Sequence, residues 1–235
     1  MTAAFDESVD DSTYSTQPTF GSGGDEPYAN ALRGNAPVTL VGQESHGALL
    51  TRTTMDVSRW NAEADEADLS LLRAATGPLL DIGCGPGRMV RAARDIGLEV
   101  LGIDVSATAI EIAREAGLEV VQGSIFDAVP REGEWQTALL VDGNVGIGGD
   151  VSALLERCTQ LLTPTGDLVV ELHADRSRDI QFTATLLDTR GGESESFPWA
   201  EIGLDAIVEL GARHGLELRQ SWLSGERAFC RLSAR

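Results

Sequence analysis

From Pro78 to His173, short aliphatic and β-branched runs alternate with stretches whose apolar residues recur at helical spacing. The runs PLLDIG (78–83), LEVLGID (98–104), LEVVQG (118–123), WQTALLVD (135–142) and GDLVVELHA (166–174) predict strands. Helices are predicted between them at 87–96, 106–116 and 150–162. Strands that read as nearly continuous apolar runs, separated by amphipathic helices, indicate a parallel sheet covered on both faces. The pattern changes near the end. A helix at 200–214 precedes two strand-like runs, LELRQSW (216–222) and RAFCRLS (227–233), joined through Leu223, Ser224 and Gly225. So short a join permits only antiparallel pairing. The expectation is an α/β domain over 78–235 whose parallel sheet is closed by an antiparallel strand.

Upstream the pattern is weaker. Residues 1–26 are rich in Ser, Thr, Asp and Gly and predict a disordered acidic tail. Residues 27–77 predict an arm and helix covering the cleft, with PVTLVG (37–42) extended, Asn61 as a helix N-cap and Gly77 as its stop.

Composition narrows the classes of function. The 235 residues carry a net charge of −19, which disfavours a nucleic-acid partner. The three cysteines, Cys84, Cys158 and Cys230, are widely spaced, as in a reduced protein without a disulfide framework. No apolar run approaches the ~18 residues of a membrane span. The acidic start lacks an apolar signal core. A cytoplasmic protein without membrane partners is expected, with a homodimer open.

Two glycine loops follow strands. In the first, Asp81-Ile82-Gly83-Cys84-Gly85-Pro86-Gly87, glycines let the backbone turn sharply and approach a ligand at the sheet's carboxyl edge. Asp104 ends the next strand, 21 residues after Gly83, near the spacing at which an acidic side chain meets ribose hydroxyls. A dinucleotide fingerprint would require glycine at position 88, where Arg88 stands. Asp81 would repel a pyrophosphate but suits a sulfonium, so S-adenosylmethionine is favoured over NAD.

These segments resemble the class I S-adenosylmethionine-dependent methyltransferases: LLDIGCGPGR is similar to the family's first motif, VLGIDVSATAIEIAR to its second, and VVQGSIFDAVP to the segment bordering adenine. DGNVGIGGD and FPWAEIG resemble, more narrowly, an actinobacterial subgroup of predicted methyltransferases. The resemblance implies a Rossmann-like, doubly wound, mostly parallel seven-stranded sheet with an antiparallel last strand. It places Asp81, Gly83, Cys84 and Gly85 around the methionyl end and Asp104 on the ribose. It sets Val105 on one adenine face, with Ser124, Ile125 and Phe126 on the other side and edge. Ser124 departs from the commoner acidic residue there.

On the acceptor side, His173 near the end of the fifth strand is the candidate base. Asp142 and Asn144 are candidates to orient the acceptor, and Asp142 also the cofactor's amino group. Asp142, Glu171 and Asp175 form no compact metal-ligand motif, and no metal is expected. The Asn-Pro-Pro-aromatic signature of amino methyltransferases acting on bases or glutamine is replaced by Asp142-Gly143-Asn144-Val145. His46, Arg52, Arg59 and Trp60 fall where a lid would lie. The insert 175–199, with Arg190, Gly191, Gly192, Phe197 and Trp199, is expected to wall the acceptor. The second glycine loop, Gly143 to Gly149, is expected to leave it room. Together these features indicate methylation of a small molecule, most simply on oxygen. A non-catalytic S-adenosylmethionine sensor is the rival from another class; an NAD-dependent oxidoreductase is disfavoured by Arg88 and Asp81.

Overall fold

The computed structural model describes residues 18–21, 27–44 and 47–234. His46 and the expected tail at 1–17 and 22–26 lie outside the described residues. The chain opens with α1 (Pro27–Gly34), β1 (Val38–Gln43), β2 (Leu49–Met55), α2 (Val57–Asn61) and α3 (Glu66–Leu72). The alternating region follows: β3 (Leu79–Ile82), α4 (Arg88–Asp95), β4 (Val100–Asp104), α5 (Ala107–Glu115), β5 (Val120–Gln122), β6 (Trp135–Leu140), α6 (Val151–Leu161) and β7 (Leu162–Leu172). It ends with β8 (Asp179–Leu187), β9 (Phe197–Ile202), α7 (Leu204–Arg213), β10 (Leu216–Ser224) and β11 (Arg227–Ala234).

Seven strands form one sheet in the order β10-β11-β7-β6-β3-β4-β5. From β7 to β5 every pairing is parallel, whereas β11 runs antiparallel to both of its neighbours. This is the expected doubly wound sheet. Side chains alternate across a strand, and here both sets are apolar. Leu80, Ile82, Ala138, Leu140, Leu168 and Val170 pack with residues of α6 and α7. Leu79, Leu139, Val141 and Val169 pack with residues of α3, α4 and α5. Strand order runs outward from β3 in both directions, so the crevice for a ligand opens at the carboxyl ends beside it.

The remaining strands depart from expectation. They form a second, wholly antiparallel sheet in the order β2-β1-β8-β9. The extended run in the arm is β1, and it pairs with β8 of the insert expected to form a wall, Leu40 opposite Leu186. β8 has strand periodicity: Phe182, Ala184 and Leu186 point into a third core with Tyr28, Leu32, Phe197 and Trp199, while Gln181 and Thr183 alternate with them. The last helix is shorter than predicted, because Ala200 to Ile202 belong to β9 and Gly203 caps α7. Asn61 ends α2 rather than starting α3, and α3 stops at Leu72, well before Gly77. Asp65 is the true N-cap: its carboxylate accepts from Asp68 N, and Asp68 returns a bond to Asp65 N, two amides satisfied reciprocally. Among the described residues no helix is long and apolar enough to cross a membrane.

Candidate active site

A cavity of about 690 Å³ opens at the carboxyl ends of β3, β4 and β6, within the range of small-molecule sites. Asp81, Gly83, Cys84 and Gly85 line it from the first glycine loop. Asp104 and Val105 line it from the end of β4, and Ser124, Ile125 and Phe126 from the segment after β5. Asp142 and Asn144 complete this side. His173 does not reach it. That side chain is exposed, its backbone N–H donates to Ile202 O, and its Nδ1 accepts from Asp175 N at 3.1 Å. The bond to Ile202 O ties the end of β7 to β9 and leaves the side chain expected as the base outside the cavity lining.

The first loop is held by a few specific contacts. Gly83 has φ of +70°, and a Cβ there would meet the Asn144 amide at 2.6 Å. Asn144 Nδ2 donates to the carbonyls of Ile82 and Gly83, both at 2.8 Å, so its two N–H groups brace the loop rather than reaching for an acceptor. Asp104 Oδ2 accepts from Gly85 N and Oδ1 from Ser106 N, both at 2.8 Å, fixing the carboxylate at the cavity edge. Asp81 is different. It is buried, and its Oδ2 has no partner. Burial first, then the nearby carboxylates of Asp142 and Asp104, push its pKa up to about 8.

Behind the loop lies an ion network that sequence reading missed. Asp68, fully buried on α3, accepts from Arg88, from Arg59 at 3.1 Å and from Arg227 at 2.7 Å. Arg88 also donates to Asp142, which lies 3.5 Å from Arg59 and 3.6 Å from Arg227. Arg227 grips both oxygens of Glu171 at 2.7 Å, and Glu171 accepts from Asp142 N. The Asp142 carboxylate, expected to orient the acceptor or the cofactor's amino group, lines the cavity with guanidinium groups facing it. Asp175 is spent on its own turn, accepting from Ser177 N and Oγ. Among the described residues no group of three His, Cys, Asp or Glu is placed to hold a metal ion.

The second glycine loop is filled by protein. A Cβ on Gly146 would strike the Ala200 carbonyl and come within 2.7 Å of the Trp199 ring, and Gly149 is similarly covered by Pro198. The absent side chains let β9 lie directly on the loop and bring Trp199 to the cavity. At Gly146 and Gly149 the room expected for an acceptor is occupied, whereas Gly148 lines the cavity. Trp199 does wall the cavity as anticipated, whereas Arg190, Gly191 and Gly192 sit at the far β8–β9 turn. Trp60 lines the cavity; Arg59 is drawn into the ion network, and Arg52 sits exposed on β2. Phe20, in a segment whose composition suggested disorder, packs 5.0 Å from Tyr28 and 5.4 Å from Trp199, ring centre to ring centre.

Comparison with known proteins bears on this geometry. Residues 79–166 match the family model described as "Methyltransferase domain". A ubiquinone biosynthesis O-methyltransferase of Chelativorans sp. (strain BNC1) is 33% identical over 97 residues, 39% of this chain and 38% of that protein. A trans-aconitate 2-methyltransferase of Paracidovorax citrulli is 33% identical over 107 residues, 44% of this chain and 41% of that protein. The chain thus aligns with about two fifths of the length of these curated relatives. A crystal structure of a Bacteroides fragilis S-adenosylmethionine-dependent methyltransferase, in complex with S-adenosyl-L-homocysteine, superposes over 89% of this chain and 93% of that one, with TM-score 0.72 and 20% identity. Residues 79–166 thus resemble a methyltransferase domain, and the described chain shares its seven-stranded Rossmann-like fold with the Bacteroides fragilis S-adenosylmethionine-dependent methyltransferase.

Proposed function

We propose that the chain transfers a methyl group from S-adenosylmethionine to a small molecule. The observation that carries this is Asp81: a buried carboxylate oxygen without a partner, beside a glycine loop, in a cavity that also presents Asp104. A buried carboxylate ionises only at a cost when it has no counter-ion, and a cationic ligand supplies what the site lacks. In this reading Asp81, Gly83, Cys84 and Gly85 hold the methionyl end and Asp104 the ribose hydroxyls. Val105, Ile125 and Phe126 enclose the adenine, and Ser124 borders its edge. S-adenosylmethionine, when bound, supplies an electrophilic methyl on a positively charged sulfur. The chain's residues hold the acceptor in line with it, and positioning accounts for most of the rate.

Oxygen is the acceptor atom expected from sequence, and the name of the ubiquinone-pathway relative supports it. A protonated oxygen acceptor needs a base, and His173 is off the cavity. A nitrogen lone pair needs none, so the cavity favours nitrogen over the oxygen expected from sequence. His173→Ala is expected to leave turnover unchanged, as measured by release of S-adenosylhomocysteine.

S-adenosylmethionine at about a hundred times its dissociation constant should add about 2.7 kcal/mol of stability, raising the melting temperature by roughly 5–11 °C. NADH should leave it unchanged; stabilisation by NADH alone would sink the proposal. Binding without S-adenosylhomocysteine release on any acceptor would favour the sensor.

Asp81 adds a pH dependence. Without ligand it stays protonated until pH approaches 8. A cation favours the ionised form, so binding below that pH expels a proton. Affinity for S-adenosylmethionine should therefore rise with pH between 6 and 8, by up to about tenfold per unit, and level off above. Calorimetric titration of wild type and Asp81→Asn checks this. The variant should bind more weakly, with a flat profile.

A further inference from the structure

Four rings from four parts of the chain meet at the cavity: Phe20 from the segment before α1, Tyr28 from α1, Trp60 from α2 and Trp199 from β9. Phe20 lies among the others, 5.0 Å from Tyr28, 6.4 Å from Trp60 and 5.4 Å from Trp199, tilted 34° to the last. Tyr28 also stands over the first glycine loop: a Cβ on Gly85 would sit 3.4 Å from its hydroxyl. The rings therefore border the loop that faces the cofactor in the proposed reading.

The charges around them are one-sided. Asp81, Asp104, Asp127 and Asp142 line the cavity, and among the described residues its one cationic lining side chain, Arg88, is shared between Asp68 and Asp142. Among the described lining residues an anionic acceptor finds no free counter-charge. The candidate bases are carboxylates, of which Asp81 faces the cofactor in the proposed reading. The chain contains no lysine, and among the described residues no histidine lines the cavity. The oxygens of Asp104 accept from backbone amides, and those of Asp142 face three arginines.

We infer that the acceptor is a planar, uncharged nitrogen heteroaromatic, held beside the aromatic cluster of Phe20, Tyr28, Trp60 and Trp199 and methylated on a ring nitrogen. This rests on the methyltransferase reading above and names its substrate class. The ring nitrogen's lone pair forms the N–CH₃ bond as the S–CH₃ bond breaks, and the bonding pair of that bond remains on sulfur. The positive charge passes from sulfur to the ring, and no proton moves, so no base is required. Aromatic faces and carboxylates both favour the cationic product.

The test uses the full chain loaded with S-adenosylhomocysteine and titrated calorimetrically with three bicyclic probes of matched size: quinoline, 2-naphthol and 2-naphthoate. Quinoline is expected to bind at least tenfold more tightly than naphthoate. With S-adenosylmethionine it should yield N-methylquinolinium and one equivalent of S-adenosylhomocysteine. Phe20→Ala and Trp199→Leu should each weaken quinoline binding at least tenfold while leaving S-adenosylhomocysteine binding within twofold. The second ligand reports that each variant is folded. Naphthoate binding as tightly as quinoline, preferential methylation of naphthol, or failure of all three probes to bind the loaded protein would overturn the inference. Failure of S-adenosylhomocysteine itself to bind is a separate result, and it removes the methyltransferase reading together with the inference.

Discussion

Replacing Asp68 with Ala is expected to lower the melting temperature by roughly 6–20 °C. This one buried carboxylate answers Arg88, Arg227 and Arg59. Arg88 is only 3% exposed and Arg227 16% exposed, so neither guanidinium recovers full hydration when the partner disappears. Removing one member of a buried ion pair costs about 3–5 kcal/mol, because it leaves an uncompensated charge. In a chain of this size each kcal/mol shifts the midpoint by about 2–4 °C. Arg59→Ala, at the more exposed end of the network, should cost far less. Differential scanning calorimetry of the two variants separates these cases. Equal small losses in both would mean that water enters the network and screens it. The loss should also reach the cofactor site, since Arg88 carries the network to Asp142 and so to the mouth of the cavity.

Asp104→Ala is expected to remove measurable affinity for S-adenosylmethionine while leaving most of the fold intact. The carboxylate does two things at once. It accepts from Gly85 N, which fixes the shape of the glycine loop, and from Ser106 N, which fixes the start of α5. In the proposed complex its outer lone pairs receive the two ribose hydroxyls. Hydrogen bonds to a charged group contribute about 1.5–3 kcal/mol each, so losing two should weaken binding on the order of a hundredfold or more. Asp104→Asn is the informative partner. It keeps the shape but replaces one acceptor oxygen with a donor, and should fall between wild type and Ala. If Ala binds within a fewfold of wild type, the ribose is held elsewhere.

What the sequence revealed and what it hid follow one rule: local patterns were legible and distant pairings were not. Strands such as β3 and β6 are buried on both faces, so their apolar runs announce them without knowledge of any neighbour. The first loop was legible because its glycines and Asp104 are bound by spacing along a single strand–loop–helix–strand unit. The second sheet was not, because β1 finds its partner in β8, and neither run says where the other lies. The ion network was hidden for the same reason, its members standing on α2, α3, α4, β7 and β11 and in the loop after β6. Glycine spacing at 143–149 could not distinguish room for a ligand from room for a tryptophan. His173 was plausible by type and by strand end, and only the bond to β9 shows why it stands outside the cavity lining.

The pairing of β1 with β8 has a consequence for how the molecule is made. The proposed cofactor loop and its acidic partner come from strands adjacent in sequence, β3 and β4, which can register as soon as that segment collapses. The aromatic wall requires a far longer chain loop to close before Leu40 meets Leu186, and contacts of large sequence separation are slow to form. Folding therefore builds the two halves of the cavity on different clocks. Trp60 and Trp199 belong to the slower one, Trp135 and Trp222 to the large sheet.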